Sequence, residues 1–306
     1  MTYRGLYEAG RHCLRDASVR EEELDARLLL EFLCHTDRSF LLAHGDEPVS
    51  DETEAQYMKL IQKRAAHIPL QYITNEQEFM GISFYVNQNV LIPRQDTECL
   101  VEEAMREIQD GMAVLDVCTG SGCIMISLMK YKNDLRGVAT DLSKEALQVA
   151  EHNRQTLGVA ESLRLVQSDL FENAEGIRKA LHETTESLRQ RDTQILENEQ
   201  ITERFDVVIS NPPYICSHVI ETLELEVKNH EPRMALDGTA DGLFFYRKLA
   251  ERAPGFLNHG GRIFLEIGYD QGQAVTDILA RSGYADIRVV KDLAGLDRVI
   301  SAIWHG

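Results

Sequence analysis

The sequence predicts an α/β protein, a doubly wound and mostly parallel sheet with a small helical domain ahead of it. Three observations predict this. From about residue 96 onward, short apolar runs alternate with helical stretches, as in successive βα units. A glycine-containing turn follows one of these runs and opens a helix. Residues 1–75 carry helical periodicity and little strand signal. The 306 residues suffice for one large core plus a smaller domain, and 43% hydrophobic with 27% charged residues describes a globular protein.

In the first region, Leu24, Leu28, Leu29, Phe32 and Leu33 form an apolar stripe behind Ser18-Val19-Arg20-Glu21, which reads as a capping box. Tyr57, Leu60, Ile61 and Arg64 mark a second helix, ended by Pro69. These stripes read as helix packing, and the module, residues 1–75, is also suited to gripping a protein substrate. Residues 76–95 read as a β-hairpin linker with strands at Glu78-Phe79, Ser83-Phe84-Tyr85-Val86 and Val90-Leu91-Ile92. The remaining domain spans residues 96–306.

Within it, Val114-Leu115-Asp116-Val117 is a strand. Cys118-Thr119-Gly120-Ser121-Gly122 is the turn after it, and a helix follows over 123–130. Gly120 and Gly122 allow a sharp turn and close approach of the backbone to a ligand. The second strand, Gly137-Val138-Ala139-Thr140-Asp141, ends in a carboxylate about 20 residues after the loop, where a ribose-binding acid is expected. A third, 163–168, ends at Asp169. Each Asp alone reads equally well as the N-cap of the helix behind it. The fourth strand, Phe205-Asp206-Val207-Val208-Ile209-Ser210, runs into Asn211-Pro212-Pro213-Tyr214. Ligands bind at the carboxyl ends of such strands. Two prolines stiffen the turn, so the Asn211 side chain and the Pro212 carbonyl can act as paired acceptors for one NH2 group. Tyr214 offers a flat face beside them. A fifth strand, 262–266, a helix over 273–281 and a terminal hairpin, 286–290 with 298–303, complete seven strands.

Residues 172–204 look like an insertion between the third and fourth strands. Ile177, Leu181, Leu188 and Ile195 give it a helical seam, read as a solvent-facing helix with one sticky side. A mobile loop or a partner site fits the composition as well. The segment is expected to be removable without loss of fold.

A glycine loop, acids ending the second and third strands, and Asn-Pro-Pro-Tyr ending the fourth together resemble the class I S-adenosylmethionine-dependent methyltransferases, with their Rossmann-like sheet. The Asn-Pro-Pro-Tyr form resembles those that methylate a planar nitrogen. Within them the chain is similar to the release-factor glutamine methyltransferase family (PrmC/HemK). Leu91-Ile92-Pro93-Arg94-Gln95-Asp96-Thr97-Glu98 matches its second signature. Pro69-Leu70-Gln71-Tyr72-Ile73, Glu78-Phe79-Met80-Gly81 and His230-Glu231-Pro232-Arg233-Met234-Ala235-Leu236 match further stretches, as does Asp241-Gly242-Leu243. Two positions depart from the family: Cys118 and Asn75 stand where it usually has glycine. Cysteine is small, so it is tolerated there if its φ is negative.

The resemblance implies S-adenosylmethionine as cofactor, S-adenosylhomocysteine as product and no metal. The implied substrate is the glutamine of the Gly-Gly-Gln tip of class I peptide-chain release factors. It places Cys118, Thr119, Gly120, Ser121, Gly122, Asp141, Asp169, Leu170 and Asn211 at the cofactor. Asn211, Pro212, Pro213 and Tyr214 fall at the substrate, with Asn211, Pro212 and Tyr214 carrying the chemistry. Arg94, Thr97, Glu98 and Asp116 are supports, the first three bracing the hairpin against the cofactor loop. Two rivals stand beside this: an adenine amino-group methyltransferase on DNA or RNA, and an interaction protein that has lost catalysis.

The net charge of -18 argues against a partner gripped by its phosphates, so no nucleic acid is expected. It reads chiefly as conferring solubility. The six cysteines are scattered, without C-x-x-C or a His–Cys cluster, and read as reduced thiols. No apolar leader or membrane-length run is present, so a cytoplasmic protein is expected.

Overall fold

A computed structural model describes residues 1–191 and 203–306. They form two compact units, Met1–Glu76 with Leu223–Glu231, and Gln77–Thr222 with Pro232–Gly306.

The first unit holds helices Tyr3–Asp16, Glu22–Cys34, Arg38–Ala43, Asp51–Ala65, Leu70–Thr74 and Leu225–His230. Side-chain caps start three of them: Thr2 accepts from Gly5 N, Asp37 from Phe40 N and Ser50 from Thr53 N. Leu6, Leu14, Leu29, Leu30, Tyr57 and Ile61 are fully buried. The Tyr57 hydroxyl donates to Ala26 O at 2.9 Å, and any side chain at Gly10 would strike its ring. Buried Arg64 pairs with Asp25 at 2.6 Å and also with Glu226.

Three expectations need correction here. The capping box does not form. Ser18 lies at φ +59 in the turn after the first helix and donates its N–H to Arg15 O. The next helix starts behind Glu21 without a side-chain cap. Its buried face is Asp25, Ala26, Leu29 and Leu30, while Leu24 and Phe32 are 39% and 40% exposed. Asp25 must face inward to meet Arg64, and this rotates the stripe. Lastly, Pro69 does not end the Asp51–Ala65 helix but precedes the short helix Leu70–Thr74. That helix closes at Asn75, φ +58, a left-handed position that asparagine tolerates.

The second unit opens with a hairpin of β1 (Glu76–Phe79) and β2 (Ile82–Tyr85). Its turn residues, Met80 and Gly81, both have positive φ (+52° and +67°), as a type I′ turn requires. No strand forms at Val90–Ile92. Asn87 Oδ1 accepts from Asn89 N at 2.9 Å, an Asx turn, and Pro93 removes a donor just beyond.

After the helix Gln95–Glu107 come β3 (Ala113–Val117), β4 (Arg136–Asp141), β5 (Leu163–Gln167), β6 (Phe205–Ser210), β7 (Leu257–Glu266), β8 (Tyr284–Lys291) and β9 (Asp297–Trp304). The spatial order is β5-β4-β3-β6-β7-β9-β8. The first five in that order are mutually parallel, and β9 runs antiparallel to both its neighbours. The seven-stranded, mostly parallel sheet is thus as expected. Register sets the site: Val117 lies opposite both Thr140 and Ser210. Cys118, Asp141 and Asn211 therefore emerge side by side. The strand order reverses between β3 and β6, the switch point where open sheets bind ligands.

Alternate residues of each strand serve opposite faces. Leu115 and Val117 enter a core with Tyr246, Leu249, Val275 and Leu279, whereas Val114 joins Phe84, Leu100 and Ile124. The β5–β6 crossover is the helix Ala174–Arg191. Ile177, Leu181 and Leu188 are at most 1% exposed, and the helix packs on β4 and β5. The described part of the presumed insertion is therefore a core helix, because a parallel sheet needs a covering layer on that face. Ile195 lies outside the described residues. Leu181→Ala is expected to cost about 2–5 kcal/mol. Leu293→Ala, at a wholly exposed side chain, should change stability by less than about 0.5 kcal/mol. Denaturant titration measures both, and equally small effects would put the helix outside the cooperative core.

Candidate active site

The carboxyl ends of β3, β4, β5 and β6 surround a cavity with about 960 Å³ of space unfilled by atoms. Cys118, Thr119, Gly120 and Ser121 form one wall, and the helix Cys123–Tyr131 starts behind Gly122. Positive φ recurs at Cys118 (+64°), Gly120 (+57°) and Gly122 (+81°). Cys118 is thus left-handed, so the condition of a negative φ is not met. The shape of the turn prevails over the residue in it, held by Thr119 N donating to Thr140 O at 2.9 Å and Gly120 N to Asp141 Oδ2 at 2.9 Å. A side chain at Gly120 would meet nothing within 4 Å, so this backbone faces open space, ready for close approach. Asn153, buried, donates to Ser121 O and Tyr85 O and accepts from Tyr85 N, fastening the loop to the hairpin.

Asp141 lines the cavity. Its Oδ2 accepts from Gly120 N and its Oδ1 from Ser143 N, both at 2.9 Å, and the carboxylate has acceptor capacity beyond its backbone donors. Burial raises this carboxyl, and the N–H groups of Ser143, Gly120 and Leu142 oppose the shift. Ser143, not Asp141, caps the following helix. Asp169 is exposed at the rim, and Leu170 beside it holds φ +49, a strained position for a branched side chain.

Asn211 and Pro213 line the cavity, whereas Pro212 and Tyr214 do not. Asn211 Nδ2 donates to Thr97 Oγ1 at 3.2 Å. The amide oxygen is thereby left as the free end. Among the described residues, no backbone N–H donates to the Pro212 carbonyl. The Tyr214 hydroxyl donates to Glu266 Oε1 at 3.1 Å, and burial raises that phenol. Gln271 Nε2 holds the Tyr214 carbonyl at 3.1 Å. Arg94 lines the cavity and donates to Ile92 O at 3.0 Å. Glu98 accepts from Met80 N at 2.6 Å, so it braces the hairpin turn, while Thr97 braces Asn211.

Several contributors had no assigned role in the sequence. Val90, Leu91 and Pro93 line the cavity as irregular backbone, and Met234 and Phe245 line it from the helices Arg233–Leu236 and Phe244–Arg252. Glu266, 2% exposed at the end of β7, was read only as the last residue of a strand. An acid at the end of a buried apolar run was the signal available. Among the described residues, no group of three His, Cys, Asp or Glu could hold a metal, and no helix is long and apolar enough to cross a membrane.

Asp116, fully buried on β3, accepts from the Thr119 hydroxyl at 2.5 Å and so stiffens the loop from below. Burial pushes its carboxyl up to about 7, against the Thr119 hydrogen bond. A raised acid holds its proton in the folded chain at pH values where the unfolded chain has lost it. Asp116 therefore withdraws stability as pH rises from about 4 to about 7. Asp116→Asn has no such proton. Its melting temperature minus that of the native chain should grow between about pH 5 and 8. Melting curves at both pH values test this, and a difference independent of pH would contradict the buried carboxyl.

Two family models match the chain: a PrmC N-terminal domain over residues 6–74 and a methyltransferase domain over residues 108–264. The release factor glutamine methyltransferase of Moorella thermoacetica is 38% identical over 306 residues, covering 99% of this chain and 98% of that one. The enzyme of the same name from Clostridium botulinum is 36% identical, covering 99% of each. Among solved structures, the hMettl16 catalytic domain in complex with MAT2A 3'UTR hairpin 6 shares the fold, with TM-score 0.52, 12% identity, and coverage of 84% of this chain and 83% of that one. Similarity of this extent to such enzymes, running through both domains, makes this chain a member of the release factor glutamine methyltransferase family.

Proposed function

We propose that this chain transfers the methyl group of S-adenosylmethionine to the side-chain amide nitrogen of the glutamine in the Gly-Gly-Gln motif of class I peptide-chain release factors. The observation that carries the reading is Asn211, held by Thr97 with its amide oxygen free beside the glycine loop. The names of the relatives supply the substrate class.

The residues fit the cofactor. Gly120 opens a cradle that a Cβ would enter, and Asp141 retains lone pairs for the two ribose hydroxyls. Leu142 and Leu170 supply apolar surface for a base. When bound, S-adenosylmethionine supplies an electrophilic methyl group on a sulfonium. The chain's own task is to present the nucleophile. A carboxamide nitrogen is weak because its lone pair is delocalised into the carbonyl. Asn211 Oδ1 and the Pro212 carbonyl can accept its two N–H bonds, which orients the nitrogen for an in-line approach. Such alignment can lower the barrier by several kcal/mol, up to about 7–11 in the best cases. The proton leaves once the nitrogen carries the methyl group and has become far more acidic. Translation factors as substrates agree with a cytoplasmic setting.

Labelled S-adenosylmethionine offered with release factor, DNA and RNA tests the reading directly. Label is expected on the Gly-Gly-Gln glutamine. Label on an adenine amino group would overturn the substrate, and no label on any acceptor would overturn the activity.

Two substitutions sharpen this. Asn211→Ala should lower kcat at least about a hundredfold, with cofactor affinity changed less than about threefold. Near-native turnover would remove Asn211 from the chemistry. Asp141→Ala should weaken S-adenosylmethionine binding about tenfold or more, as a charged acceptor is lost. Calorimetry reads this, and unchanged affinity would reduce Asp141 to a brace for the loop.

A further inference from the structure

We propose that Glu266 is the positioning residue of the methyl-transfer site: through Thr97 it fixes which end of the Asn211 amide faces the cavity, and through the Tyr214 hydroxyl it anchors the same turn. The inference rests on the reading of Asn211 as acceptor for the substrate amide.

The argument follows the protons. Thr97 Oγ1 accepts from Asn211 Nδ2 at 3.2 Å, so its own proton must go elsewhere. Thr97 is 2% exposed, and Glu266 is the buried acceptor at hand for that proton. The Thr97 hydroxyl is hydrogen-bonded to Glu266, and Glu266 Oε1 also accepts from the Tyr214 hydroxyl at 3.1 Å. An ionised carboxylate has no proton of its own, so both hydroxyls must point towards it. That leaves Asn211 only the donor end for Thr97 and turns its oxygen to the cavity. Glu266 Oε2 is buried and has no hydrogen-bond partner among the described residues, so the carboxylate has acceptor capacity to spare.

The residue is also held firmly. The Tyr246 hydroxyl donates to the Glu266 backbone carbonyl at 3.0 Å and to Gln271 Oε1 at 3.1 Å, and Gln271 Nε2 reaches back to Tyr214 O. The ionisable groups that influence the carboxylate are Tyr214 after β6, Arg298 on β9, Asp96 on the helix Gln95–Glu107 and Tyr246 on the helix Phe244–Arg252. Burial raises the carboxyl to about 7, while Thr97, Tyr214 and Arg298 draw it down and Asp96 pushes it up. It is therefore ionised above about pH 7 and takes up a proton below. In Glu266→Gln, the new NH2 group can donate to Thr97. The Thr97 proton is then released towards Asn211 and favours the flipped amide, which presents a donor to the substrate NH2.

The test compares the native chain with Glu266→Gln, Thr97→Val, their double variant and Thr97→Ser. Cofactor affinity, thermal melting, and kcat and KM on release factor are measured across about pH 6–9. Glu266→Gln and Thr97→Val should each lower kcat about tenfold or more, with KM and cofactor affinity within about threefold. The double variant should be no worse than the poorer single one, since both break one chain. Thr97→Ser, which keeps the hydroxyl, should restore turnover. Native kcat should fall below about pH 7, and Glu266→Gln should lack that limb.

Native kcat in Glu266→Gln, or multiplied losses in the double variant, would overturn the proposal. So would a change confined to KM or melting. If Glu266→Gln fails to fold, the contrast between Thr97→Val and Thr97→Ser decides. Native label on a different acceptor would overturn the functional reading alone, and the same kcat comparison would then be made on that acceptor.

Discussion

An amide side chain has a donor end and an acceptor end of nearly the same shape, so Asn211 can face a substrate NH2 only if a neighbour fixes its sense. Thr97 is that neighbour, at 3.2 Å from Asn211 Nδ2. Much of the second unit serves to bring the two together. Thr97 lies in the first turn of the helix Gln95–Glu107, whose Leu100, Val101 and Ala104 are buried in one of the two cores flanking the sheet. Asn211 leaves β6 in register with Val117 of β3 through Ser210, whose hydroxyl donates to Val117 O at 2.6 Å. The two prolines behind Asn211 then leave the turn little freedom.

The glycine-loop side of the cavity relies on backbone rather than side chains. Cys118 and Leu170 both hold left-handed conformations that cost a residue with a Cβ about 1–2 kcal/mol each. Bonds from Thr119 N, Gly120 N and the Thr119 hydroxyl hold the loop on β3 and β4. The fully buried strands beneath supply the rigidity. Strain of this kind recurs at the ends of β3 and β5, on either side of β4, at the sheet edge where open α/β sheets bind ligands.

The sheet was legible because its strands are short apolar runs separated by helices, and the candidate cavity because the motifs that line it fall at strand ends. The strand pattern and the residue types place Asn211, Asp141 and Cys118–Ser121 at one sheet edge, and these residues line the cavity. Other features depended on partners distant in sequence. Asp25 turned its helix inward because Arg64 awaited it, and the stripe at Leu24 and Phe32 was misjudged. The polar residues of Ala174–Arg191 hid a buried seam, since half of an amphipathic helix always looks solvent-facing. The φ of Cys118 is set by the turn it sits in, and residue type alone does not announce it. Glu266 and Tyr214 are joined only by folding, and no local pattern announces a hydrogen bond across 52 residues.

The central claim is that Asn211 Oδ1 and the Pro212 carbonyl receive the glutamine amide. A crystal structure of the chain with S-adenosylhomocysteine and a Gly-Gly-Gln peptide tests it most directly. The account predicts the glutamine nitrogen within about 3 Å of both oxygens, facing the sulfur in line. A glutamine nitrogen bound elsewhere, or an Asn211 amide with Nδ2 turned to the substrate, would contradict it.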